Sequence, residues 1–108
     1  MTWSNFAGDG RRGTEGGEII ADHEHNLGVR ITLERGGKAP FAITCGIYGW
    51  MVHTRFFDTE AEARQQYAAM QGALDEILAL VSAYDDPPDD AQIDEAAREL
   101  AAFVDRFP

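Results

Sequence analysis

In the stretch DHEH, His23 and His25 stand two residues apart. On an extended strand that spacing puts both imidazoles on one face, the arrangement two of them use when they share a metal ion. A metal site needs at least a third ligand. The remaining histidine, His53, falls in a strand about three spacings away, roughly 14 Å in a meander. No metal site is therefore expected, and the pair reads as edge-strand polarity. Cys45 is the single cysteine. As a nucleophile it needs a lowered thiol pKa and an adjacent base. Strand alternation instead puts it on the core face and His53 on the other side, so it is expected to act as a small buried hydrophobe.

The carboxylates follow the same logic. Catalytic pairs have their pKa values pushed apart inside a cleft, whereas Asp85, Asp86, Asp89 and Asp90 fall in a link between helices. GDGRRGTEGG is glycine-rich, but it neither follows a strand nor opens a helix, as a phosphate-binding loop does. No catalytic residue and no cofactor are expected, and the protein is read as not an enzyme.

The elements that must position these side chains follow from periodicity. Residues 1–17 hold five glycines and few large apolar groups besides Trp3 and Phe6, and are expected to form a flexible arm. A single α+β domain is expected over 18–108. Its sheet occupies about 18–57, with strands GEIIADHEH, GVRITLERG, FAITCGIY and WMVHTRFF, and the first two are joined by a three-residue loop closed by Gly28. A two-residue or a four-residue turn between the last two strands leads to the same faces, because the pairing shifts by two and the side-chain period is two. The expected core face is Phe41, Ile43, Cys45, Ile47, Trp50, Val52 and Phe56.

From Thr59 the period changes to alternating steps of four and three through Ala63, Tyr67, Met70, Leu74, Ile77, Val81 and Tyr84, the seam of a helix. Thr59 and Glu62 form a capping-box pair at its start. Pro87 and Pro88 end it, Asp89 or Asp90 can cap a second helix, and the helical hairpin covers about 59–107. The expected architecture is a four-stranded antiparallel meander, packed on one face by a long helix and followed by a second, antiparallel helix.

Composition bounds the partners. The 108 residues carry a net charge of -10 and are 44% hydrophobic. Residues 1–57 hold six acids and six bases, while residues 58–108 hold thirteen acids and three bases, which is the whole excess. An acidic half of this kind repels phosphate backbones, so no nucleic-acid partner is expected. No apolar run approaches the roughly 18 residues of a membrane span, and no leader pattern opens the chain. A cytoplasmic location follows as the expectation. The outer sheet face, with Arg30, Thr32, Thr44, Tyr48, Met51, His53, Arg55 and Phe57, mixes rings and charges, and such a face signals association. The function expected is that of a non-catalytic domain that binds another protein or itself as a homodimer. The alternative is a small-molecule or metal-binding domain using that face or the edge histidines.

Overall fold

A computed structural model describes residues 3–5, 11–25, 27–47 and 51–108. The fold is α+β. Strands β1 (Trp3–Asn5), β2 (Glu18–His25), β3 (Val29–Arg35), β4 (Phe41–Ile47) and β5 (Met51–Phe57) precede helices α1 (Glu60–Val81) and α2 (Asp90–Arg106). The strands form one antiparallel sheet in sequence order. Five strands replace the expected four, because Trp3–Asn5, inside the segment read as an arm, pairs with His23 to His25. The chain divides into two compact units, Met1–Ala68 and Ala69–Pro108, and each is described by itself.

In the first unit the β2–β3 hairpin forms as its sequence predicts. His25 pairs with Val29, and Gly28 takes a φ of 89°, a conformation other residues resist, so that its N–H reaches the His25 carbonyl at 3.0 Å. Val29, Ile31 and Leu33 of β3, with Ile43 and Cys45 of β4, are fully buried on one face. The opening turns of α1 serve this face through buried Ala63 and Tyr67. The Tyr67 hydroxyl donates to the Ile31 carbonyl at 3.0 Å and lies 2.7 Å from His23 Nδ1. Because the phenol has one proton, His23 Nδ1 donates to it, which fixes the histidine tautomer.

The β4–β5 pairing departs from expectation. Ile47 pairs with Met51, Cys45 with His53, Ile43 with Arg55 and Phe41 with Phe57. Three residues separate Ile47 from Met51, an odd number. An odd connection inverts the parity that every even one shares, and all of β5 turns over relative to the expected register. Val52 and Phe56, assigned to the core, are 79% and 53% exposed, whereas Phe57, assigned to the outer face, is 6% exposed. Arg55 joins the helix-side face because its polar end is satisfied there: Nη1 donates to Gln66 Oε1 at 2.8 Å and the guanidinium lies 5.0 Å from the Phe57 ring centre. Trp50, also assigned to the core face, and the turn residues Tyr48 and Gly49 lie outside the described residues.

A second parity change lies in β2. Ile19 pairs with Glu34, and Ala21 with Leu33, so Ile20 is an extra residue in a bulge. Ile19 therefore points away from the helix side, while Ala21 points toward it.

In the second unit, Met70, Leu74, Ile77 and Leu78 of α1 and Ala96, Phe103 and Phe107 from α2 and its C-terminal end are buried. Thr59 Oγ1 accepts from the Glu62 N–H at 3.3 Å, one half of the expected capping box at the start of α1. At α2 the box is complete: Asp89 accepts from the Gln92 N–H at 2.8 Å, and Gln92 Oε1 accepts from the Asp89 N–H at 3.0 Å. The Tyr84 hydroxyl ties the link down by donating to Glu95 Oε1 at 2.8 Å. Among the described residues, no helix is long and apolar enough to cross a membrane.

The register makes two neighbouring phenylalanines unequal. Phe57→Ala is expected to cost roughly 3–5 kcal/mol and Phe56→Ala no more than about 1 kcal/mol, measured by urea denaturation at low protein concentration. The opposite ranking would favour the even-turn register.

Candidate functional site

The face of the sheet away from Tyr67 carries Asp22, Arg30, Thr32, Glu34, Ala42, Thr44, Val52, Thr54 and Phe56. Glu34 is 1% exposed, a position for a carboxylate that demands strong hydrogen bonds. They come from residues 11–17, which cross this face as a strap. Glu34 Oε2 accepts from the Gly17 N–H at 2.6 Å and Oε1 from the Glu15 N–H at 3.1 Å. The strap closes on itself between the Gly13 N–H and the Gly17 carbonyl at 2.7 Å. It also clips to the start of β2 through the Ile19 N–H and the Arg11 carbonyl at 2.8 Å. Its glycines are required by proximity: a methyl group at Gly13 would stand 2.6 Å from the Glu34 carboxylate, and one at Gly17 would stand 2.6 Å from the Arg35 carbonyl.

Between strap and sheet lies a groove of about 380 Å³. Its base includes Ile19, Gly46 and Val52; Thr14, Thr32 and Thr44 contribute hydroxyls, and Arg11, Arg12 and Arg30 contribute positive charge. The Thr44 hydroxyl lies 3.3 Å from that of Thr14 and 3.2 Å from that of Thr54, linking strap, β4 and β5. Arg30 is held in a two-point clasp, donating from Nε to Asp22 Oδ1 at 2.9 Å and from Nη2 to Oδ2 at 2.5 Å. The Asp22 side chain is fully buried while Arg30 is half exposed. The carboxylate thus fixes the guanidinium plane at the groove wall and holds it protonated, raising its pKa against the lowering effect of burial.

The residues singled out from the sequence separate. Arg30, Thr32 and Thr44 meet at the groove. His53, Arg55 and Phe57 belong to the opposite face; Met51 pairs with Ile47 at the start of β5, and Tyr48 lies outside the described residues. The inversion of β5 also puts His53 directly opposite Cys45 on one face, where it was expected on the other. The thiol is nevertheless pushed up to about 11, because burial penalises the thiolate more than nearby Arg55 favours it. A thiol so raised is a poor nucleophile at neutral pH. His23 is engaged with Tyr67, and His25 Nδ1 accepts the Leu27 N–H at 3.1 Å. Among the described residues, no group of three metal-ligating side chains forms.

Sequence reasoning missed the strap: Arg11, Arg12, Thr14 and the carboxylate that seats them. The available signal was Glu34 itself, an acid facing small Ala42 across the ladder in a chain with a glycine-spaced segment nearby. No known family model, curated protein or solved structure matches this chain.

Two measurements examine this arrangement. Glu34→Ala is expected to lower stability by roughly 2–4 kcal/mol and to speed trypsin cleavage after Arg11 and Arg12. Glu34→Gln, with one acceptor oxygen left, is expected to fall between. Wild-type cleavage rates in Glu34→Ala would contradict the seating of the strap. For Cys45, the raised pKa makes the folded state hold its proton longer than the unfolded chain. This contribution is complete below the ordinary thiol value of 9.0 and is lost as pH rises through about 11. Stability measured across that window is expected to fall less in Cys45→Ser than in wild type, and the native thiol is expected to resist iodoacetamide at pH 7. Rapid labelling of the folded protein at that pH would contradict the assignment.

Proposed function

We propose that the protein is a non-catalytic association domain that pairs the β5 edge with a strand of another protein, in the first instance a second copy of itself. The carrying observation is that edge. β5 is terminal in the sheet, seven residues long, and paired with β4 without a bulge. Val52 and Phe56 stand exposed on one face of it. Sheet edges are commonly guarded against pairing by lysine, proline, bulges, shortness or an inward charge; Met51–Phe57 carries only the last, Arg55, whose guanidinium is engaged by Gln66 and Phe57. No described strand covers its outer side.

Antiparallel pairing of two β5 strands about Thr54 would set Val52 of one copy opposite Phe56 of the other, adding a cross-strand apolar pair on each side of the two-fold axis. Charge supports the same contact. The sheet portion, residues 1–57, sums to zero, and the -10 lies in residues 58–108, so two such edges meet without net repulsion between the approaching strands. Backbone pairing supplies affinity and the alternating side chains supply register, as in β-strand addition generally.

Sedimentation across a range of concentrations tests the reading. The chain of 11.9 kDa is expected to double in mass as concentration rises, and Val52→Lys with Phe56→Lys is expected to keep it monomeric with an unchanged far-ultraviolet spectrum. A wild type that stays monomeric into the millimolar range would remove self-association.

A further inference from the structure

The groove beneath the strap points to a ligand, which goes beyond an association role. Three of the chain's nine bases line it, and no carboxylate among the described residues does. Elsewhere among the described residues, Arg35 is paired with Glu18, Lys38 with Glu15 and Arg64 with Glu60. In a chain of net charge -10 this is a local reversal of sign. The Asp22 clasp balances Arg30 and fixes its orientation, and the Glu34 carboxylate lies under the strap at Gly13, so three arginines against two carboxylates leave one net positive charge, carried by Arg11 and Arg12, which also border a neighbouring cavity beside Glu18. Ile19 and Val52 give the base an apolar character; Thr32 donates to the Thr44 carbonyl at 3.5 Å, while the linked hydroxyls of Thr14, Thr44 and Thr54 share two bonds and so keep one proton that can turn to an oxygen ligand.

A volume of about 380 Å³ lies near the lower end of small-molecule sites. It suits one ring or a short aliphatic body with one charged group. Guanidinium forks match carboxylate and phosphate oxygens alike. We propose that this groove binds a small amphipathic anion: an apolar body seated on Ile19 and Val52, its carboxylate or phosphate held by Arg11 and Arg12 with a threonine hydroxyl.

Titrating the full-length protein, labelled with nitrogen-15, with phenyl phosphate, benzoate, inorganic phosphate and benzyl alcohol tests each part. Phenyl phosphate or benzoate is expected to shift the amides of Thr14, Thr44 and Gly46 saturably, with Kd below about 1 mM. Inorganic phosphate and benzyl alcohol, which each lack one half of the chemistry, are expected to bind at least about tenfold more weakly. The double variant Arg11→Ala with Arg12→Ala is expected to weaken the aromatic anions by at least about tenfold while the rest of the spectrum stays in place. Arg11→Lys with Arg12→Lys is expected to recover part of that loss. Shifts that stay linear to high concentration, lie away from the groove, or persist in the alanine variant would overturn the proposal. Equal binding of inorganic phosphate would overturn the apolar part of it. Because these readouts do not depend on subunit mass, a strictly monomeric protein that binds phenyl phosphate would leave this site standing.

Discussion

A carboxylate removed from water must find donors, and Glu34 finds them in the backbone of the strap. Removing it from solvent carries a penalty of several kcal/mol unless oriented N–H groups replace water. The amides of Glu15 and Gly17 do so, but only if residues 13–17 fold tightly enough to deliver both at once, which explains the hydrogen bond from Gly13 to Gly17 and the absence of side chains at those two positions. Everything on that side of the sheet follows. The strap holds Arg11 and Arg12 over the groove, brings Thr14 to Thr44, and encloses Ile19. The Asp22 and Arg30 pair applies the same principle a few residues away, with a charge satisfied by a charge instead of by backbone amides.

Much of the framework was legible because local signals agreed with one another. The first hairpin had clean alternation in its second strand and a glycine where a left-handed residue was needed, and the second helix had prolines before it and an aspartate to cap it. The fourth and fifth strands were less legible for a specific reason. In the sequence of β5 apolar residues fall at both parities, Val52 and Phe56 at even positions and Met51 and Phe57 at odd ones, so hydrophobicity alone favours neither side. The even turns put His53 and Arg55 outward, yet the Arg55 guanidinium lies over Phe57 while Gln66 accepts from it. Only the pairing with β4 decides, and the even turns considered could not distinguish their own parity from an odd one.

The strap was illegible on different grounds. Glycine-rich composition argues for disorder when nothing compensates the lost entropy, and the compensation here comes from a residue 17 to 21 positions further along the chain. Glu34 looked like one more polar residue on a solvated face. Its burial depends on the strap, and the strap's order depends on Glu34, a mutual dependence that no window of sequence contains. The candidate face was therefore half visible: Arg30, Thr32 and Thr44 could be grouped by alternation, whereas the cations opposite them could not.

The bulge at Ile20 gives the sheet something like a reading frame. One surplus residue in β2 assigns Ile19 to the strap side and Ala21 to the helix side, and one odd connection before β5 does the same for Val52 and Phe57. Substitutions alter single side chains, but gaining or losing one residue between β4 and β5 exchanges the two surfaces for the whole of β5, whereas losing Ile20 would leave Ile19 opposite Glu34 and Ala21 opposite Leu33. Lineages of this fold should therefore tolerate length changes between β4 and β5 in twos, preserving phase, while the bulge in β2 can be lost without exchanging a face.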